Sequence, residues 1–507
     1  MGIDKRPGMA ERFIYEKLQM SWFVEPDFHD SSYEERFKGK IALRAEFLYD
    51  LTTAILCKLH AKSGLESKSF GKRKILFTSQ NAEWKVVRDI SSNKMKKSDA
   101  FFDSIINELQ KEGQYDLIAT YPLGRHPFDG LRIIRDKEQN WDVIQIPFNT
   151  HWSWNIWKEE RKANRHFQKV WTNLRDTEMD EAFKKPFPVS FEIIFGRIIR
   201  YTKMAEKLIE NEKPDLIVIV NEYGIWEKSL IVAAKIKGIP TLAIQHGIIH
   251  PYHPGYLHSI KEFSGKRLLR NISLPDKIAV YGEYTKNLLI NVCNYPADTI
   301  VITGQPRYDI LSKSEKLFSK KNFMTKYGLD ESKKVALLIT QEASMSFDFL
   351  IAVVRALKNF PEVQTVIKPH PCDIHFGWHY KILEKEGYCA IVLDPKAYTF
   401  ESLYASDVVL TVNSTTAIEA MILDKPVVIV NLTGQPDAMP YVKSGAAIGV
   451  NREQDVHNAI FRALYDNQSQ EELANGRLTF VRMHVHQIGQ GTENIVKLIN
   501  QMIETGV

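Results

Sequence analysis

The chain is poor in cysteine: four in 507 residues, Cys57, Cys293, Cys372 and Cys389, with no Cys-x-x-Cys pair. That excludes a disulfide framework and a thiolate zinc site, and it fits a reducing compartment. No apolar run approaches the roughly 18–20 residues that cross a bilayer. The opening MGIDKRPGMAERFIYEKL has no apolar segment behind its charges, which argues against a secretory leader. Arg6 stands where a myristoylation signal wants Ser or Thr. The expectation is a cytoplasmic protein. Glycine-rich phosphate fingerprints are missing too: neither G-x-x-x-x-G-K-S/T nor G-x-G-x-x-G occurs, which removes the usual supports for ATP hydrolysis and hydride transfer. No D-x-D is placed to hold a divalent cation, so no metal and no resident cofactor are expected.

A large excess of either charge is also lacking. The formal net charge is +5, with 25% of residues charged and 44% hydrophobic. Without a concentrated basic stripe, nucleic acid is not an expected partner. Local basic clusters, Lys94-Met95-Lys96-Lys97 and Lys266-Arg267 with Arg270, read first as solvated faces. The sharper reading is a basic rim for an anionic lipid-linked molecule or a membrane surface.

What is present is a long alternation of short Val- and Ile-rich runs with amphipathic stretches, the pattern of βα units and parallel sheets. Residues 1–70 read as an N-terminal helical extension. Residues 71–305 carry candidate strands at Ile75–Thr78, Leu117–Thr120, Val143–Ile146, Leu216–Val220, Thr241–Gln245, Lys277–Tyr281 and Ile300–Thr303. Residues 306–334, dense in Lys and Ser, look like a linker with one helix. A second series over 335–485 has strands at Val335–Thr340, Val363–Ile367, Ala390–Leu393, Val408–Val412, Val427–Val430 and Ala446–Val450. Residues 486–507 read as a C-terminal helix. The fold class is therefore α/β: two Rossmann-like parallel-sheet domains facing a cleft, where ligands bind at the carboxyl ends of the strands.

Three constellations fall at such strand ends. Lys368-Pro369-His370-Pro371 follows a second-domain strand; its prolines stiffen the loop, and Lys368 with His370 can meet phosphate. A structural turn is the bland alternative. Ser414-Thr415-Thr416, followed by Glu419, turns a buried strand into a helix, whose free N–H groups suit an anion. Glu419 could accept from ribose hydroxyls. In the first domain, Gln245-His246-Gly247 ends another strand; His246 suits proton removal from a hydroxyl, and Gly247 permits close approach or an unusual backbone angle.

His250 and His253 follow as loop or acceptor residues, and prolines break any regular metal-ligand spacing among these histidines. Lesser candidates are Arg307 in Gly304-Gln305-Pro306-Arg307 for phosphate, Glu222 as the second candidate base, Gln341-Glu342 and Asp437.

From about Asp215 to Val450 the chain resembles GT-B transferases of surface and capsular polysaccharide synthesis, namely the CDP-glycerol glycerophosphotransferases, capsular Kdo transferases and polysialyltransferases. Lys368-Pro369-His370-Pro371 is similar to their His-Pro motif, Ser414-Thr415-Thr416 with Glu419 to their Ser/Thr motif, and His246-Gly247 to a His-Gly pair that carries a proposed base. The acidic base motif of the polysialyltransferases is not evident. Thr303-Gly304-Gln305-Pro306-Arg307 also resembles the non-hydrolysing UDP-N-acetylglucosamine 2-epimerases.

The resemblance implies a GT-B fold and transfer of a glycosyl or glycerophosphoryl group from a CMP-, CDP- or UDP-type donor to a hydroxyl of a glycan or lipid-linked acceptor. It implies a place in cell-envelope or capsule synthesis, at the inner face of the membrane. A UDP-sugar 2-epimerase and a non-catalytic sugar-nucleotide-binding subunit are the alternatives.

Overall fold

The computed structural model describes residues 48, 51–55, 58, 71–79, 84–89, 94–122, 143–175, 187–253, 255–260, 274–341, 343–371, 373, 377–437 and 439–506. Most of the expected N-terminal extension, the Lys266–Arg270 cluster and Glu342 lie outside them. Of the extension, residues 51–55 are helical, and Ala54 packs into the first domain.

Two parallel sheets form the frame, as the alternating pattern predicts. The first has the order β5-β4-β1-β6-β7-β8-β9, with β1 at Arg73–Thr78, β4 at Tyr115–Tyr121, β5 at Ile144–Pro147 and β6 at Leu216–Val220. Strands β7, β8 and β9 span Thr241–Ile244, Lys277–Val280 and Ile300–Ile302. A separate antiparallel ribbon pairs β2, Trp84–Arg88, with β3, Met95–Asp99. The second sheet has the order β12-β11-β10-β13-β14-β15. Its strands are β10 Lys334–Ile339, β11 Val363–Lys368, β12 Ile391–Val392, β13 Val408–Thr411, β14 Val427–Val430 and β15 Ile448–Val450.

Why these runs are strands shows in their two-sided burial. Ile75, Phe77, Val218 and Val220 face one layer, whereas Leu76, Ile217 and Ile219 face the other. Both faces are apolar because helices cover both, as parallel sheets require. On the first face lies α1, Asp103–Glu112. On the opposite face pack α2 (Trp154–Arg175), α3 (Phe187–Glu212) and α4 (Ile225–Lys237). The second sheet divides the same way, with Val335, Leu337 and Ile339 against one cluster and Ala336 and Leu338 against the other.

The segment expected as a linker is packed structure. It carries a 3-10 helix over Pro306–Lys313 and two short helices, Ser314–Leu317 and Lys320–Tyr327. Tyr308, Ile310, Leu311, Phe318, Phe323 and Met324 from it join the second domain's core. The lysines that made it look like a spacer occupy the outer face, while the apolar residues between them are buried.

The end of the chain returns to the first domain. In the second domain α5, Thr416–Ile422, follows β13, and α6, Asn467–His484, leads back towards the first. The last helix, α7 at Gly491–Thr505, buries Ile495, Val496, Leu498, Ile499, Met502 and Ile503 against β1, β6 and α1. At roughly 1.5–3 kcal/mol per buried aliphatic side chain, this docking contributes on the order of 10 kcal/mol as an upper estimate. The crossing is tight: His486 N–H donates to the Tyr281 carbonyl at 2.7 Å, and Asp309 accepts from Gly491 and Thr492 N–H at 2.8 Å each, capping α7. Gly304 sits at this crossing with φ +81°, and a Cβ there would lie 2.5 Å from the His486 carbonyl oxygen. Only glycine meets both demands.

Candidate functional site

Each sheet has one point where the chain reverses its direction of growth. In the first, the chain runs outward from β1 through β4 to β5, then resumes at β6 on the other side of β1. In the second it runs from β10 through β11 to β12, then resumes at β13 beside β10. Crevices for ligands open at the carboxyl ends of strands flanking such switch points.

Ile339 pairs with both Lys368 and Thr411, so the ends of β10, β11 and β13 are level. His370 and Ser414 therefore sit at one edge, as their positions in the sequence suggested. His370 is half-buried, and its carbonyl accepts from Asp373 N–H at 2.9 Å. Ser414 Oγ accepts from Thr416 N–H at 3.2 Å, and its carbonyl accepts from Ala417 N–H and the Tyr441 hydroxyl at 3.1 Å each. Ser414 is thus the capping side chain; Thr415, at the helix boundary, makes no such bond.

Lys368 is 2% exposed, and its ammonium donates to the carbonyls of Pro369 and Pro395 at 2.9 and 2.7 Å. Two of its three N–H groups are thereby committed to tying the His370 loop to the loop after β12. Burial lowers its pKa to about 8, with Lys85 adding to the effect and Asp394 opposing it. Gln341 N–H donates to Ser346 Oγ, and exposed Asp437 accepts from Asn431 at 2.9 Å.

In the first domain the strand end is held by Gln245. Its amide donates to the Gly247 carbonyl and accepts from Tyr281 N–H, both at 2.8 Å. The Tyr281 hydroxyl donates to the His246 carbonyl at 3.0 Å while accepting from Gln305 at 2.7 Å. Gly247 is not left-handed, and a Cβ there would meet no described residue within 4 Å, so of its two expected uses the unusual backbone angle is ruled out.

Behind His246 lies a buried polar pocket. Glu222 is 3% exposed, and burial raises its pKa to about 7 against the opposing pull of Tyr256, His246 and Lys228. His253 packs between Tyr223 and Tyr256, each ring centroid 4.9 Å away, and burial pushes its pKa down to about 3. His250, 5.4 Å from His253 between rings, is also lowered by burial. Burial thus favours the neutral form of both imidazoles beside these rings. Among the described residues no group of three or more His, Cys, Asp or Glu side chains is placed to hold a metal ion.

Arg307 joins the two walls. It donates to buried Glu419 at 3.1 Å and lies over the rings of Phe101 and Phe400, at 5.5 and 5.9 Å. Phe101 in turn stacks on His246 with ring centroids 5.4 Å apart. His246, Phe101, Arg307 and Glu419 thus form one continuous stack from the first domain to the second. Burial raises the Glu419 pKa, with Arg307 and then Lys85 opposing.

Phe101, Phe400, Tyr256 and Lys85 were not legible as site residues. The first three look like core aromatics, and Lys85 belongs to a short strand, Trp84–Arg88, with no apolar alternation to mark it. A cavity of about 1440 Å³ opens beside the stack, lined by Lys85, Arg88, Arg307, Pro371, Pro395 and Phe400 among others. Neither His246, Glu222, His370 nor Ser414 lines it. The strand-end cluster, where the titratable groups gather, is the better centre, with the cavity as space adjoining it. No helix among the described residues is long and apolar enough to cross a membrane.

The family model described as CDP-glycerol:poly(glycerophosphate) glycerophosphotransferase matches residues 154–499. No curated protein matches the chain. Among solved structures, the UDP-GlcNAc 2-epimerase from Neisseria meningitidis, solved with UDP-GlcNAc, aligns at a TM-score of 0.52 and 14% identity, covering 84% of this chain and 100% of that one. A protein from Listeria monocytogenes described as a UDP-N-acetylglucosamine 2-epimerase aligns at 0.53 and 12%, covering 86% and 98%. The glycotransferase of kitacinnamycin aligns at 0.50 and 13%, covering 85% and 100%. At such identities the likeness establishes the shared two-domain GT-B fold.

Proposed function

The chain belongs to the CDP-glycerol:poly(glycerophosphate) glycerophosphotransferase family, and from that premise we propose that it transfers a glycerophosphoryl or glycosyl group from a CMP-, CDP- or UDP-type donor to a hydroxyl of a surface-glycan or lipid-linked acceptor. The observation that carries this reading is the stack from His246 through Phe101 and Arg307 to Glu419, which links a candidate base in the first domain, across one ring, to a cation held by the second.

In this reading the donor's nucleotide lies at the second switch point. His370 and the turn from Ser414 through Thr415 to Thr416 hold its phosphates, with Arg307 contributing positive charge. Charge develops on the departing phosphate in the transition state, and donors fixed beforehand stabilise it without reorganising. Lys368 keeps the His370 loop rigid, and Glu419 keeps Arg307 in place.

His246 takes the proton of the acceptor hydroxyl. For a glycerophosphoryl donor, the acceptor oxygen bonds to the glycerol-bearing phosphorus. The bond from that phosphorus to the bridging oxygen breaks, and its electron pair leaves with the nucleoside monophosphate. Gln245, Gly247, His250 and His253 shape the wall on which the acceptor rests. The cationic side chains supply the positive charge, and no metal requirement is proposed. The reaction is placed at the inner face of the cell membrane, with the basic rim meeting anionic lipid.

Mixing the protein with CDP-glycerol and a poly(glycerophosphate) acceptor tests this. CMP release that needs the acceptor, falls to a small residual rate in His246→Ala and persists in EDTA is the expected result. His246→Ala should still show thermal stabilisation by CDP, because a ligand of the folded state raises its stability, whereas His370→Ala should not. Conversion of UDP-GlcNAc to its 2-epimer without any acceptor would instead establish the epimerase reading.

A further inference from the structure

The base proposed above has a neighbour that the mechanism does not yet use. Strands β6 and β7 run parallel and in register, with Val220 opposite Ile244. Two residues beyond that pair, the chain places Glu222 on one strand end and His246 on the next. Both leave the sheet beside its switch point. Asn221 turns left-handed at φ +68°, which ends β6 and aims the following residue out of the strand.

Glu222 is enclosed there, and neither carboxylate oxygen makes a hydrogen bond of good geometry, although the Tyr256 hydroxyl is near enough to favour its charged form. A buried carboxyl group whose partners are poorly aligned is costly, and a positive charge that forms beside it in the working cycle lowers that cost. The ionisable groups around it are His246, Tyr256 and Lys228, with Tyr223, His253 and His250 in the adjoining cage. Among these, His246 is the group that the reaction charges. Its ring plane is fixed from the other side by stacking on Phe101.

We propose that Glu222 is a positioning residue for His246, whose carboxylate faces the imidazolium that forms when His246 takes the acceptor's proton. The inference rests on the reading of His246 as the base. The proton moves from the acceptor oxygen to an imidazole nitrogen and stays there; Glu222 gains no proton and forms no bond. It stabilises the charged ring and restricts its orientation, as a buried acid does for a histidine base in hydrolases. The same geometry makes Glu222 a poor base itself, because its oxygens are closed off from an incoming hydroxyl.

The test uses the full-length protein, CDP-glycerol and a poly(glycerophosphate) acceptor, with CMP release followed from pH 5 to 9. Glu222→Gln removes the charge while keeping the shape. The expected result is a fall in kcat on the order of 100-fold, the cost of a misplaced catalytic group, with KM for CDP-glycerol changed less than about twofold. The acid limb of the rate profile should move to lower pH, and stabilisation by CDP should be unchanged. A purely structural carboxyl group would not move that limb.

In the His246→Ala background the further change Glu222→Gln should cost nothing more, since residues that act as a unit are not additive. Wild-type kcat with a wild-type pH profile in Glu222→Gln overturns the inference, as does an undiminished further loss in the double variant. If Glu222→Gln does not fold, Glu222→Asp carries the test: a reduced kcat with the acid limb displaced part of the way to lower pH supports the role, and an acid limb at its wild-type position refutes it. Full turnover in His246→Ala alone would overturn the base reading and this inference with it; full turnover in Glu222→Gln alone overturns only the inference.

Discussion

Replacing Arg307 by alanine offers a quantitative check on the contact between the walls. The Glu419 side chain is 3% exposed and that of Arg307 25%. Removing the guanidinium leaves a carboxylate buried without its partner, a change that typically costs about 3–5 kcal/mol. The two ring contacts, at 5.5 and 5.9 Å, add about 0.5–1 kcal/mol each at partly exposed positions.

The variant has one escape, which is to protonate Glu419. Protonating a glutamate costs about 1.4 kcal/mol for each pH unit above its ordinary value of about 4.3. The escape therefore costs about 5 kcal/mol at pH 8 but only about 2 kcal/mol at pH 6. The sign follows from burial, which raises the folded-state pKa of Glu419. A raised carboxyl contributes stability below its unfolded pKa and loses it as pH rises through the folded value. Without Arg307 that raise grows, so the deficit of Arg307→Ala should widen from pH 6 to pH 8 by roughly 1–3 kcal/mol.

Urea unfolding of wild type and variant at both pH values, followed by far-UV circular dichroism, measures the deficit. Adding Glu419→Gln to Arg307→Ala should recover most of the loss at pH 8. A deficit below about 1 kcal/mol at pH 8, or one that does not change with pH, would refute the reasoning.

Two further expectations concern stability. Gly476 lies inside α6, where alanine would ordinarily stabilise a helix by about 0.5–1 kcal/mol. A Cβ there would lie 2.1 Å from the Gly445 carbonyl oxygen, so Gly476→Ala should lower the melting temperature rather than raise it. His151 and His484 are held near a pKa of about 4, and His253 near about 3, chiefly by burial. Depressed histidines contribute stability above their unfolded value, about 6.5, and lose it as pH falls towards the folded values. The free energy of unfolding should therefore drop between pH 6.5 and 4. His484→Phe, which keeps a ring between Phe480 and Tyr284, should flatten that slope in the same titration.

By itself the sequence determined the two parallel sheets and the edge of each where the candidate site residues emerge. Runs such as Leu216–Val220 and Val427–Val430 are apolar on every residue, and only a sheet covered on both faces accommodates that. Motif residues that directly follow such a run must emerge at its carboxyl end, so His246, His370 and Ser414 could be placed from order alone.

What only the tertiary structure decided is which side chains meet. Arg307 and Glu419 are 112 positions apart, and no local pattern links them. Lys368 looks like a free cation until its burial against the Pro369 and Pro395 carbonyls appears. The segment from 306 to 334 looks like a spacer because its charged residues outnumber its apolar ones, yet burial is decided by which face packs, not by the average. Glu222 and His246 follow different strands, and it is the parallel register of β6 and β7 that sets the ends of those strands level. Periodicity reports the environment of one element, whereas a site depends on distances between elements, which only packing sets.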